Sequence, residues 1–335
     1  MKLKIILLST IAIALGSYLV VSQNSKASLI SSNLRTVAIT QIVDHPSLNQ
    51  ARIGVMAALN DAGYQEGKNL KLTYETPHGN LTLGAQIANK LNHQKPDVIV
   101  AISTPSSQTM LAANSNHIPI VFSSVTDPLS AKLVSNLDKP GSDITGSIET
   151  PPIQELLDKI LRLLPNTKTI GIIYNPGEAN SAKSVSQIKS LTTLEIREAP
   201  VSNSLEVSQA VESIAGSVDL IILPSDNTVW SALETLTEHA KQHQIPVFAN
   251  DPDSVHKGVT LALGYPQYAV GYNAGEKVVK ILNGESPNNI PVTTPAKKSL
   301  YINLDMAQAI KLPINQSLLN SADLVVRAGE NHGQE

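Results

Sequence analysis

Short apolar runs rich in β-branched residues alternate with longer stretches of helical period, and the alternation runs twice along the chain in the same order. Strands and helices that alternate in this way build parallel sheets covered by helices. The first series predicts strands over residues 36–42, 70–76, 97–102 and 118–122, with helices over 46–62, 81–92 and 105–114 between them. The second predicts strands over 170–174, 193–199, 219–223 and 246–249, with helices from residue 179, over 205–215 and over 227–242. Pro46, Pro105 and Pro128 suit first helical turns, where a missing N–H costs nothing. The repetition reaches single residues. Asp97-Val98-Ile99-Val100 leads to Ile118-Pro119-Ile120-Val121-Phe122, while Asp219-Leu220-Ile221-Ile222 leads to Ile245-Pro246-Val247-Phe248. The expected architecture is therefore α/β: two Rossmann-like, doubly wound parallel-sheet lobes joined by a hinge. The N-terminal lobe is expected over 34–145 plus about 266–290, and the C-terminal lobe over 146–265 plus about 291–325. Short runs at 143–147 and 261–263 read as crossing strands and hinge candidates.

Lys2 and Lys4 precede an apolar run from Ile5 to Val21, followed by Ser25-Lys26-Ala27, which reads as a secretory signal peptide over residues 1–27. A retained N-terminal anchor is the alternative, since the run approaches the length of the shortest spanning helices. Both readings place the rest of the chain outside the cytoplasm. The polar tail after Ala328 is expected to be loose. The 335 residues include 25 Lys plus Arg against 28 Asp plus Glu, a net charge of -3, so no broad basic surface suggests nucleic acid as a partner. There is no cysteine, which excludes a thiol nucleophile, a thiolate metal site and a lipidated cysteine.

In parallel sheets ligands bind beyond the carboxyl ends of the strands. The loops to inspect are 41–45, 103–107 and 123–128 in the first half, and 175–181, 224–228 and 250–253 in the second. They carry hydroxyls, amides and carboxylates but no Lys or Arg. A phosphate or a dicarboxylate would call for a guanidinium or ammonium partner, so a zwitterion fits better. Hydroxyls and helix N-termini suit an α-carboxylate, while Asp127, Asp226 or Asp251 suits an ammonium. Helix capping is the competing use of the same residue types.

The segments 39–46, 62–69, 118–128, 172–181 and 224–228 carry a resemblance. In order, they are similar to the tryptophan/tyrosine-type substrate-binding proteins of ABC transporters. The resemblance runs from about Arg35 to Pro295 and implies two hinged lobes that close on a small solute, an aromatic amino acid in the characterised branch. It also implies delivery to an ABC permease in the inner membrane, with no cofactor and with the binding protein a monomer. By motif match it places Gln41, His45, Thr104, Thr126, Asp127, Glu178, Asn180, Asp226 and Asn227 at the cleft. Tyr174 and Tyr265 end predicted strands and are the aromatic candidates; Trp230 is expected in the core, and Asp251 joins the site from its loop. The chain departs from the family pattern at Asn250-Asp251-Pro252, where Ser-Glu-Asp is usual, and at Tyr265-Pro266, where Ile-Asp is usual. Without the lipidated cysteine that many members carry, a free periplasmic form is expected.

Two alternatives belong to other classes. A periplasmic sensor would hand its ligand-bound state to a membrane receptor. An enzyme would need a catalytic constellation, and Glu178 and Asp226 are the paired carboxylates available, both where helix caps are expected. His239 and His243 share a helix face but lack a third ligand in the sequence nearby, so a solvated face is expected and no metal.

Overall fold

The computed structural model describes residues 34–141 and 143–327. The signal peptide expected over residues 1–27 and the tail after Ala328 lie outside the described residues. The first half folds as β1 (Arg35–Gln41), α1 (Pro46–Asp61), β2 (Leu70–Glu75), α2 (Leu81–Gln94), β3 (Val98–Ile102), α3 (Thr104–Ala113), β4 (Ile120–Val125) and β5 (Ile144–Ile148). These strands form one parallel sheet in the order β2-β1-β3-β4-β5. The second half begins with α4 (Ile153–Leu163), β6 (Thr169–Tyr174), α5 (Ala179–Leu191), β7 (Glu195–Pro200), α6 (Val207–Ile214), β8 (Leu220–Leu223), α7 (Asn227–Trp230), α8 (Leu233–Gln242) and β9 (Val247–Ala249). It continues through β10 (Leu261–Gly264), α9 (Gln267–Leu282), β11 (Ser299–Asn303), α10 (Leu304–Ala309), α11 (Gln316–Asn320) and β12 (Leu324–Val326). Its sheet runs β12-β11-β10-β9-β8-β6-β7, parallel except for the antiparallel pairing of β10 with β11.

Each sheet is covered on both faces, which is why its central strands are apolar without alternation: Val98, Ile99, Val100, Ala101 and Ile102 of β3 are all buried. The repeated aspartates do the same job in each lobe. The Asp97 carboxylate accepts from the Thr36 amide at 2.7 Å, and that of Asp219 accepts from the Lys168 and Thr169 amides at 2.7 and 2.9 Å. Each aspartate thus ties the start of its own strand to the strand beside it.

Helix α9 leaves the second sheet and returns to the first lobe, packing along α1. The approach is close because both helices present glycine: a Cβ on Gly271 would lie 1.8 Å from the Ala51 carbonyl oxygen, and one on Gly54 2.1 Å from that of Tyr268. The chain therefore passes between sheets after β5, between β10 and α9, and between α9 and β11.

Several expectations are corrected here. The segments expected at 143–147 and 261–263 do form strands, but each belongs to one sheet, β5 pairing with β4 and β10 with β9 and β11, so the crossings follow them. The first sheet holds the chain through Ile148, three residues past the lobe boundary expected after Thr145, so the passage begins at Glu149. Pro128 starts no helix, because the Asp127 carboxylate takes the Leu129 and Ser130 amides at 3.1 and 3.0 Å and Lys132, at φ 58°, ends the turn. The helix expected over 227–242 breaks at Ala232, whose φ of -117° and ψ of 24° leave helical geometry. Trp230 sits just before the break, its indole N–H donating back to the Pro224 carbonyl at 2.8 Å. Among the described residues no helix is long and apolar enough to cross a membrane.

Candidate functional site

The carboxyl ends of the two sheets face each other across a narrow space. Its walls come from His45, Ser47, Leu48, Ser124, Thr126, Glu149 and Gln267 on one side and from Asn180, Ser225, Asp226, Asn227, Trp230, Asn250 and Asp251 on the other. Only Leu48 and Trp230 present mainly apolar surface, and no Lys or Arg contributes.

Beneath the C-terminal wall, Glu178 organises a polar floor. Its carboxylate accepts from the Asn227 and Thr228 amides at 3.1 and 2.9 Å, from the Thr228 hydroxyl at 2.8 Å, and from the side-chain amides of Asn227 and Asn180 at 2.5 and 3.0 Å. Asp226 caps α7 through Val229 N–H at 2.9 Å and also accepts from the Asn175 amide and the Ser181 hydroxyl, at 2.5 and 2.6 Å. Burial and the neighbouring Glu178 charge push the Asp226 carboxyl up to about 7. With these donors already engaged inside one lobe, both carboxylates hold the site's shape; Asp226 is thus a cap, the competing use weighed for it in the sequence.

His45 begins α1, its Nδ1 accepting from the Leu48 amide at 3.5 Å, and its ring lies 6.4 Å from that of Trp230. Burial lowers its pKa to about 4, so the imidazole is neutral. Trp230 is both part of the core and part of the cleft wall, whereas only the first role is expected from sequence.

Several side chains have spare bonding capacity. Eight buried side-chain polar atoms among the described residues have no hydrogen-bond partner, and six belong to Gln41, Ser103, Thr104, Ser106, Thr126 and Asn180. Gln41 ends β1, Ser103, Thr104 and Ser106 follow β3, Thr126 follows β4 and Asn180 lies in the first turn of α5; of these, Thr126 and Asn180 line the space itself, while Ser106 lines a separate cavity beside α3. Gln41 uses its amide N–H on the Val43 carbonyl and Asn49, at 2.9 and 2.8 Å, leaving its oxygen free. Three orphaned hydroxyls, those of Ser103, Thr104 and Ser106, surround the N-terminus of α3, a ten-residue helix whose first N–H groups favour an anion.

Of the residues expected from sequence, His45, Thr126, Asn180, Asp226, Asn227 and Asp251 line the space together. Glu178 lies behind them, and Gln41 and Thr104 sit at the sheet edge without lining it. Asp127 stands at the outer mouth, where its carboxylate meets Lys183 of α5 at 3.2 Å and so ties one lobe to the other. Tyr174 does not face the cleft: its hydroxyl donates to Glu198 on β7 at 2.8 Å, because the last position of β6 turns toward the sheet's open edge. Tyr265, in the passage to α9, also falls outside the lining. Ser47, Leu48, Glu149 and Gln267 are missed by the sequence reading. Glu149 occupies a passage between lobes and Gln267 begins α9 just after another, and their one local signal is a polar residue beside each crossing segment.

The profile of the family described as "ABC transporter substrate binding protein" matches residues 36–326. The tyrosine-binding protein of Clostridioides difficile is 35% identical over 301 residues, which are 87% of this chain and 87% of that protein. The crystal structure of an ABC domain in complex with L-Trp from Streptococcus pneumoniae is 28% identical, with a TM-score of 0.84 over 88% of this chain and 100% of that one. The ligand-free, open structure of a substrate-binding protein with adhesive properties from Clostridium difficile is 33% identical, with a TM-score of 0.66 over 88% of this chain and 99% of that one. The less identical of these two structures superposes better.

Proposed function

Because the chain belongs to the ABC transporter substrate-binding protein family, a family of binding proteins that work outside the cytoplasm, we propose that it captures a small zwitterionic amino acid between its lobes and delivers it to an inner-membrane permease. The observation that carries this reading is the pair of buried, unpartnered polar atoms that line the cleft from opposite lobes, Thr126 Oγ1 and Asn180 Oδ1. An unmet buried polar group costs about 1–3 kcal/mol, so a concentration of them marks where a polar ligand's groups would be bonded. The α-carboxylate suits the hydroxyls at the head of α3 and the α-ammonium suits the acids of the cleft. Trp230 and Leu48 supply the apolar contact for a side chain, and the relatives named for tyrosine and tryptophan favour an aromatic one. Binding works by population shift: solute held on one lobe gains contacts from the other only in the closed form, which is the form a permease would recognise. The signal-like N-terminus and the missing lipidated cysteine favour the periplasm.

The experiment is a melting series of ligand-free protein with the twenty amino acids. An amino acid at a hundred times its Kd stabilises the protein by about 2.7 kcal/mol and raises Tm visibly. No shift with any of them overturns the reading. Thr126→Val sharpens the test. The Thr126 hydroxyl has no partner inside the protein, so its removal is expected to leave unfolding stability unchanged or slightly higher. Affinity for the amino acid is expected to fall about tenfold, the worth of one lost hydrogen bond, as read by calorimetry.

A further inference from the structure

Two acids face each other across the cleft from opposite lobes. Glu149 follows β5, with its amide on the Val125 carbonyl at 3.1 Å, and belongs to the first lobe. Its carboxylate takes the Gln267 side-chain amide, and Ser225 of the second lobe lines the space beside it. Asp251 follows β9 and belongs to the second lobe. It accepts from the Asp253 amide at 3.0 Å, and Ser47 of the first lobe lines the space beside it. Both acids line the same space, and no Lys or Arg does. The surrounding groups add no positive charge next to the pair: Asp253 is a third acid, bonded by the Gln267 amide at 2.9 Å, and His45 is neutral. Asp226 lies further along the same wall with Glu178 behind it, and Tyr301 is close enough to feel Asp251 and Asp253. Lys257 and His256 stand on the far side of Asp253, with Lys257 at an outer opening. Independent of the acids, two polar atoms aimed at this space are unpartnered and buried: Thr126 Oγ1, in a residue 4% exposed, and Asn180 Oδ1, in one 6% exposed. The place is built for a ligand, and the acids give it the sign of charge it lacks.

We propose that Glu149 and Asp251 form a gate: as carboxylates on opposite lobes they oppose closure of the empty protein at neutral pH, and they receive the ammonium of the solute that closes it. The gate rests on the reading of the cleft given above. Like charges brought together away from water repel, and an ammonium between them turns that repulsion into two charge-assisted hydrogen bonds. A solute without an amine meets the repulsion unrelieved, so the gate also sets specificity.

Protons are the other way to neutralise the pair. In the closed form burial pushes the Glu149 carboxyl up to about 7, and burial with the Asp253 charge raises Asp251 as well. When the lobes open, both return toward ordinary carboxylate values. The closed form then binds more protons than the open one between the two ranges, and falling pH favours empty closure. For Glu149 alone, going from pH 7.5 to 5.5 shifts the closed-to-open ratio roughly 20-fold. An amino acid that needs both carboxylates ionised binds more weakly over the same interval.

The cysteine-free chain allows a direct test with Leu129→Cys and Ser190→Cys, which place spin labels on the two sides of the outer mouth. Unliganded protein at pH 7.5 is expected to show mainly the long distance, and L-tyrosine or L-tryptophan to shorten it. Glu149→Gln with Asp251→Asn, near-isosteric changes whose folding is checked by Tm, is expected to raise the short-distance fraction of empty protein at pH 7.5 and to weaken L-tyrosine binding at least tenfold. Wild type is expected to shorten without ligand at pH 5.5, and 3-(4-hydroxyphenyl)propionate, which lacks the amine, to leave the distance long at pH 7.5. A folded variant that stays as open as wild type at pH 7.5, or one that binds L-tyrosine as tightly, overturns the gate while leaving the cleft reading intact. Absence of binding by any amino acid to wild type overturns the cleft reading, and it does so in a different measurement.

Discussion

Glu178→Ala is expected to lower the unfolding free energy by about 3–5 kcal/mol, because a buried carboxylate with five donors leaves all five unmet when it is removed. Two of the five are backbone amides at the start of α7, where no other acceptor is at hand. The same change frees Asn227 and Asn180, which line the cleft, so amino-acid binding is expected to fall with stability. Glu178→Gln keeps the shape and one acceptor oxygen and should recover part of the loss. Urea unfolding followed by circular dichroism measures the difference, with the slope held in common. A midpoint for Glu178→Ala within error of wild type would mean that this carboxylate does not hold the floor of the site.

Gly271→Val is the second large effect. At this position even a Cβ would sit 1.8 Å from the Ala51 carbonyl oxygen and 2.7 Å from the Ala51 Cα, both backbone atoms that cannot swing aside. Gly54 and Gly275 make the same contact tight on either side, so α1 and α9 can separate only as whole helices. Their separation would expose Ala51, Val55, Ala274 and Val278, all buried in the first lobe's core. The expected cost is about 3 kcal/mol or more, above the usual range for overpacking because the obstacle is backbone. It would appear as a lower unfolding midpoint of the first lobe. An unchanged midpoint would refute the close helix contact. A valine at Gly216, where a Cβ meets nothing within 4 Å, is the control.

The sequence makes much of the architecture readable because strand and helix periods are local properties and the sheet ends follow from them. The loop after β4 shows both sides of this. Thr126 and Asp127 are adjacent and both polar, and sequence assigns both to the cleft. The fold puts Thr126 in the lining and sends Asp127 to the mouth, where Lys183, 56 residues later, determines its partner. Glu178 and Asp226 were legible as important polar positions, but their roles depend on donors from three loops that no local pattern brings together. Tyr174 and Tyr265 were assigned from their place at strand ends, and only the sheet's edge decides that Tyr174 turns to Glu198. His239 and His243 share a partly exposed helix face on which Glu212 of α6 meets them at 2.7 and 2.9 Å. Glu149 and Gln267 escaped notice for a physical reason. Glu149 sits in a passage between lobes, where neither a strand nor a helix period marks which way a side chain turns, and Gln267 opens α9, where the helix period marks the buried face but not the cleft beyond its first turn.

The most direct measurement is a crystal structure of the protein with the amino acid that stabilises it most. The account places that molecule between the sheet edges, bonded to Thr126 and Asn180, with its ammonium against Glu149 and Asp251. Density for the amino acid at an outer opening beside Asp127 or Lys257, with Thr126 and Asn180 still unbonded, would contradict it.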